Sequence, residues 1–486
     1  MAELQDVFKT GGVPTVTFVK PLEYPKIILN LKTAGRGLVI EGPSGIGKTT
    51  AILKAIEELG LADRVVRLSA RKKKDIEYIS IIPDLNDIGI VIIDDFHKLP
   101  DTIKSQLADL IKTFADEEAV KSKLIVLGIN EAGQSLIKFA PDLVNRIDII
   151  RFENSTDAKI SELIEKGETE LNIDINIRDD IVKESNGGFY IAQMLCSEIC
   201  LREGILETCD DLRKINTSFE SVKFAIWKRL SNTFFSVCKA FALGARYRPE
   251  GRAPYLHMLN WLANSGDWVL NIPDAMRNNP DMRLSVGQVV EKGYLNELFQ
   301  RTPGVSAVLH FDGRNLVVED PQFVFYIRNM PWAKFAKELG FNNIEFKNKY
   351  DFALSFAGSQ REIAEKIFEG LSEEEFSVFY DKYEQHRIIA SNLEEYLEPI
   401  YQSEARFIIC ILSTEYPRKI WTTFEAKYIG ARVQLGEIIP VVVDGTSIDA
   451  FSSLSKIGHL SFDRTRDFDA QIAEIVNTLK KKLSEI

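Results

Sequence analysis

Apolar residues in this chain come in short, nearly unbroken runs separated by longer stretches with helical spacing. Leu38 to Ile40, Val65 to Leu68, Ile88 to Ile93, Leu124 to Leu127 and Ile147 to Ile150 form a first series. A strand without polar alternation is covered on both faces, so the series predicts a parallel sheet between layers of helices. A second series follows the Asn/Lys-rich stretch 342–349: Tyr350 to Phe356, Phe376 to Tyr380, Phe407 to Leu412 and Ile438 to Val443. Helical patterns lie between these runs as well, which predicts a smaller doubly wound sheet. The intervening sequence reads as helices over 157–205, then Val222 to Leu243, Tyr255 to Asn264 and Ser285 to Leu298. A ribbon of Val308 to Phe311 and Asn315 to Val318 closes around Asp312-Gly313, a strong hairpin signal. The expected class is an α/β multidomain protein divided at about 1–156, 157–215, 216–340 and 348–486.

Length agrees with that division, since 486 residues exceed one ordinary core. A hydrophobic fraction of 45% with 27% charged residues is that of a soluble globular chain. The net charge of −11 argues against a nucleic-acid coat or a membrane-surface protein as a whole. No apolar run approaches the roughly 20 residues that span a bilayer, and Met1 to Asp6 has neither a basic nor an apolar leader, so a cytoplasmic location is expected. Five cysteines without a C-x-x-C pair suit a reducing compartment and give no metal site.

The most specific chemistry follows the first apolar run. Gly42-Pro43-Ser44-Gly45-Ile46-Gly47-Lys48-Thr49 is G-x-x-x-x-G-K-T between a strand and the helical run from Thr50. This is a P-loop: the glycines Gly42, Gly45 and Gly47 let backbone N–H groups face a triphosphate, and the helix start adds partial positive charge. Lys48 would reach the β- and γ-phosphates, Thr49 would hold Mg²⁺, and Thr50 belongs to the same ATP-binding set. The third run ends in Asp94-Asp95, a Walker B arrangement in which Asp94 completes the Mg²⁺ shell and Asp95 orients or deprotonates the attacking water. A solvated acid pair at a strand end is the plainer alternative. Asn130, after the next strand, is placed to sense the γ-phosphate or to make a turn.

This order resembles the AAA+ and STAND families of P-loop NTPases over roughly residues 12–205. Lys48, Thr49, Asp94, Asp95 and Asn130 match their Walker A, Walker B and sensor-1 positions. Arg146 lies where those families often carry an arginine finger, or is simply a surface arginine. The stretch 157–205, with Ser185 to Gln193, is similar to the helical lid, but no arginine matches the sensor-2 position. The resemblance therefore implies slow turnover, as in a switch. The middle segment resembles a winged helix. Residues 223–337 carry a net charge of roughly +6, positive where the chain is negative. Two roles stay open: a DNA contact through Arg283, Lys292, Arg301 and Arg314, or a module that packs on the nucleotide domain and locks it. The lock is favoured because Val286 to Leu295 has few groove-reading side chains.

From 348 to the last residue the chain resembles a Toll/interleukin-receptor (TIR) domain of flavodoxin-like fold. Phe352 to Gly358, Val378 to Asp381, Leu412 to Tyr416 and Trp421-Thr422-Thr423-Phe424-Glu425 carry the likeness. Many TIR domains of bacterial and plant immune proteins cleave NAD⁺ at the nicotinamide–ribose bond with one glutamate in W-x-x-x-E spacing, which implies Glu425 as the catalytic residue. Bond cleavage leaves an oxocarbenium-like ribosyl cation that a fixed carboxylate stabilises. The resemblance places Trp421 at the NAD⁺ pocket, Phe356 and Ala357 on its floor, and Asp381 at the start of the BB loop. Trp421 as a helix anchor, Asp381 as a turn cap and Glu425 as an exposed helix residue are the structural alternatives. Together these resemblances imply an anti-phage or stress effector in which ATP-dependent homo-oligomerisation activates a TIR NADase. A non-catalytic TIR scaffold and a DNA-binding AAA+ regulator are the rival readings; for the NADase, a separate activator or phage-derived trigger stays open as a partner.

Overall fold

The computed structural model describes residues 1–129, 132–245, 252–266, 268–341, 344, 346, 350–374, 376–380, 405–414, 416, 432, 436–447, 454 and 457–484. Two compact units emerge, one drawn from 1–215, 229–247 and 254–328, the other from 216–228, 248–253 and 329–486. The mixed α/β class, with two five-stranded parallel sheets among the described residues, is as the hydrophobic runs require.

In the first unit, strands β1 (Gly37–Glu41), β2 (Val65–Ser69), β3 (Ile90–Asp94), β4 (Lys123–Gly128) and β5 (Ile147–Arg151) form a parallel sheet in the order β2-β3-β4-β1-β5. Central β1 and β4 are buried along their whole length, whereas the edge strands β2 and β5 keep exposed positions. One face packs Ile40, Ile92 and Leu127 against Ile52 and Ile56 of the helix Lys48–Glu58. The other packs Val39, Val91 and Val126 against Leu107 and Ile111 of the helix Asp101–Asp116. Continuous apolar strands follow because neither face meets water.

Helices Asp157–Leu171, Arg178–Ser185 and Phe189–Arg202 follow, beside the two-stranded parallel pair β6 (Ile173–Ile175) and β7 (Arg213–Ile215). The later part of the unit is helical around a three-stranded antiparallel sheet, β8 (Val269–Asn271), β9 (Leu309–Phe311) and β10 (Asn315–Val318), in the order β8-β10-β9. The expected hairpin at Asp312-Gly313 joins β9 to β10, with Gly313 at φ 98°. The run Ser285 to Leu298, expected as one helix, is two: Arg283–Glu291 and Tyr294–Arg301, broken at Gly293 with φ 71°. Glycine takes that left-handed conformation without a Cβ penalty, and the helix ends there.

In the second unit, β11 (Tyr350–Phe356), β12 (Val378–Phe379), β13 (Ala405–Leu412), β14 (Ile438–Val443) and β15 (Leu460–Phe462) make a parallel sheet in the order β12-β11-β13-β14-β15. Leu354, Ile409 and Val441 pack against Ile363 and Ile367 of the helix Arg361–Glu373 and Ile475 and Leu479 of the helix Phe468–Ser484.

Candidate functional site

Because β1 is flanked by β4 and β5, the loop that leaves its carboxyl end lies mid-sheet. Gly45 and Gly47 take φ of 76° and 99°, and a Cβ added at Gly45 would stand 2.8 Å from Pro321 Cβ. Only glycine serves there, on conformation and on space. The helix begins at Lys48, whose Nζ donates to the carbonyls of Gly42 and Pro43, both at 2.7 Å. Burial pushes the Lys48 ammonium down to about 8, against the pull of Asp94 and Asp95.

A cavity of about 470 Å³ opens over this loop. Gly45, Gly47, Lys48, Thr49 and Thr50 line it, with Asp94 and Asp95 from the end of β3. Thr49 Oγ1 donates to Asp94 Oδ2 at 3.4 Å, so a hydroxyl and a carboxylate oxygen face each other beside the loop. Such a hard-oxygen pair fits Mg²⁺, which would be held by these two side chains with substrate phosphate oxygens and water. Asp95 sits at φ 58° and is engaged from two sides: Arg71 Nε at 2.9 Å and Ser69 Oγ at 3.2 Å.

Three further segments contribute to the wall: the N-terminal stretch with Thr17, Phe18 and Val19; Phe189, Tyr190 and Gln193 of the helix Phe189–Arg202; and Glu319, Asp320, Pro321 and Gln322 after β10. The last set was not singled out from the sequence. Pro321 covers Gly45, Gln322 Nε2 donates to the Tyr190 hydroxyl, and the Tyr190 N–H donates to the Gly45 carbonyl at 3.3 Å. Glu319 has a side chain only 1% exposed, yet it faces two cations, Lys98 Nζ at 2.6 Å and Arg71 at 3.4 Å, and the His97 imidazole Nε2 at 3.0 Å. Burial alone would raise its carboxyl, but the hydrogen bonds from His97 and Lys98 prevail and hold it below the ordinary range. Arg71 thereby joins Asp95 to Glu319.

Arg146 does not line this cavity; its Nε donates to Asp116 at 2.8 Å and its NH1 to Asp142 at 3.2 Å. Asn130, Asp381, Trp421 and Glu425 lie outside the described residues. In the second unit Phe356 ends β11 and Ala357 follows it, both buried. Phe356 stacks on Tyr380 at 5.6 Å between centroids, and Tyr380 on Phe368 at 5.1 Å. The hydroxyls of Ser355 and Tyr416 meet at 2.7 Å. These groups gather toward the carboxyl ends of β11 and β13, where ligands sit in doubly wound sheets. Among the described residues no cluster of three or more His, Cys, Asp or Glu could hold a metal, and no helix is long and apolar enough to cross a membrane.

A P-loop after the central strand of a β2-β3-β4-β1-β5 sheet, with an acid pair ending the neighbouring-but-one strand, gives the first unit a fold similar to that of P-loop AAA+ ATPases. The second unit carries a TIR domain: residues 352–476 match the family described as TIR domain. Over 137 residues, 27% of this chain, the sequence is 36% identical to the 3′ cyclic ADP-D-ribose synthase AaTIR of Aquimarina amphilecti. That alignment spans 41% of the relative's length. Among solved structures, Cdc6p of Pyrobaculum aerophilum overlays at a TM-score of 0.33 with 16% identity, covering 69% of this chain and 98% of that one. The Orc1 protein of Aeropyrum pernix, solved with DNA, gives 0.37 and 11%, covering 68% and 97%. The RuvB branch migration motor of Thermotoga maritima gives 0.33 and 18%, covering 63% and 96%. These overlays are loose, and the assignment rests on the sheet order and the P-loop.

Proposed function

We propose that this chain is a nucleotide-regulated TIR NAD⁺ glycohydrolase that acts in anti-phage or stress defence. The observation that carries the reading is the likeness of the TIR region to a cyclic ADP-ribose synthase, in a sequence that keeps glutamate at position 425. In this reading Glu425 stabilises the ribosyl cation as the nicotinamide bond breaks, and Trp421, Phe356, Ala357 and Asp381 shape the NAD⁺ pocket. The P-loop cavity takes ATP, with Mg²⁺ held by Thr49 and Asp94 supplying charge neutralisation at the phosphates. ATP binding drives homo-oligomerisation, and assembly turns the TIR domain on. The engagement of Asp95 by Arg71 and the closure of the P-loop by Pro321 support a slow switch over a fast motor. They favour the lock over a DNA contact as the role of the middle segment.

The test is NAD⁺ consumption by purified full-length protein, with and without ATP and Mg²⁺, beside Lys48→Ala and Glu425→Ala. Loss of NAD⁺ that requires both residues is expected. Unchanged consumption by Glu425→Ala would sink the catalytic assignment. Assembly on ATP without any NAD⁺ loss would favour a TIR scaffold that recruits a separate effector.

A further inference from the structure

The lid helix Phe189–Arg202 approaches the P-loop with its first turn, where Tyr190 bonds Gly45. Gln193 comes one turn later, roughly 5 Å farther along the axis. There the cavity is lined by Thr17, Phe18, Val19 and Leu163, which are mainly apolar. Phosphates belong at the P-loop end, so this is the end for a flat, weakly polar base.

Gln193 is only 3% exposed, and its Oε1 has no hydrogen-bond partner. Which end of the amide is which follows from its neighbours. Thr17 Oγ1 donates its proton to the Val7 carbonyl at 2.7 Å, so it can only accept from the amide. Gln193 Nε2 donates to it at 2.6 Å, which leaves Oε1 as the unsatisfied atom. A buried acceptor without a donor is costly. A ligand donor seated beside it would satisfy it.

We infer that Gln193, oriented by Thr17, reads the exocyclic 6-amino group of an adenine base and so selects adenine over 6-oxopurine nucleotides. The inference rests on the nucleotide-binding reading above. Adenine presents a 6-amino donor, whereas hypoxanthine and guanine present a 6-oxo acceptor whose lone pairs would face those of Oε1. A site built around one such hydrogen bond rejects the base that leaves it unmade.

The experiment is calorimetric titration of full-length protein with ATP and with inosine triphosphate, which differs at the 6-position and in the N1 proton that accompanies the 6-oxo group. The wild type is expected to bind ATP at least about tenfold more tightly. Gln193→Leu should bring the two affinities within about twofold. Thr17→Val removes the acceptor that fixes the amide, so the group can turn and donate to a 6-oxo base. Inosine triphosphate should then gain affinity, a result that loss of fold does not produce. Equal wild-type affinities would overturn the inference while leaving nucleotide binding intact, as would a preference unchanged in Gln193→Leu. Folded wild-type protein that binds neither nucleotide would overturn the nucleotide reading and the inference with it.

Discussion

Glu319→Gln is the most informative single change in the first unit. It keeps the shape of the side chain and removes a charge that meets Lys98, His97 and Arg71 within 3.4 Å. Removing one partner of a fully buried ion pair costs roughly 3–5 kcal/mol. Here the carboxylate is buried, but Arg71 is 44% exposed and Lys98 26%, so solvent screens much of the attraction. About 2 kcal/mol remains, which falls on the seating of Glu319 to Gln322 over the P-loop. At ~1.4 kcal/mol per tenfold, release of bound nucleotide should accelerate about 30-fold. Stopped-flow displacement of a fluorescent ATP analogue measures this directly, with Arg71→Gln and the double variant completing a cycle. Release within twofold of wild type would refute the argument that this carboxylate holds the cavity shut. The pH dependence has a definite sign. A carboxyl held below its unfolded value contributes stability above the ordinary carboxylate range and loses it as pH falls through the lowered value. The closed arrangement should therefore loosen only in acid.

Three further outcomes are expected. Burial places the Lys48 ammonium at about 8, so ATP affinity should fall as pH rises above that value, with proton uptake on binding detectable by titration in buffers of different ionisation enthalpy. Without ligand the same group makes the fold more stable as pH rises from about 8 toward the ordinary lysine value, because the unfolded chain then holds the extra proton. Gly45→Ala meets both a left-handed φ and Pro321 at 2.8 Å; a loss of roughly 2–4 kcal/mol is expected by denaturant unfolding, with weakened ATP binding. Arg146→Ala removes only half-exposed pairs to Asp116 and Asp142 and should cost at most about 1 kcal/mol. A large fall in ATP hydrolysis by assembled protein, with stability so little changed, would support the arginine-finger role.

The two five-stranded parallel sheets were legible because their inner strands are buried on both faces and so read as runs, as in Leu38 to Ile40 and Ile438 to Val443. The three-residue strands β8 and β15 were not, since a stretch such as Val269–Asn271 is too short for a period and is defined by its neighbour β10. The break at Gly293 was missed because apolar spacing continues across it while the backbone does not. The P-loop was readable as a strand, glycine-rich loop and helix start because the motif is local, spanning Gly42 to Thr49. Glu319 was not, because Lys98 and His97 stand 221 and 222 residues away and no local pattern marks an acid that pairs at that distance. The buried acceptor on Gln193 was equally hidden, since it exists only through the bonds that Thr17 makes with Val7 and with the amide.

The wall of the P-loop cavity draws on positions from Lys9 to Gln322, which bears on how the protein comes into being. A growing chain has its phosphate loop and acid pair long before Pro321 leaves the ribosome. Contacts so distant in sequence form late, after the local sheet and helices are in place. During synthesis Gly45 stands uncovered until Pro321 arrives. On the nucleotide-binding reading proposed above, a chain that ends short of Gln322 would exchange nucleotide freely, and retention would mark a finished first unit.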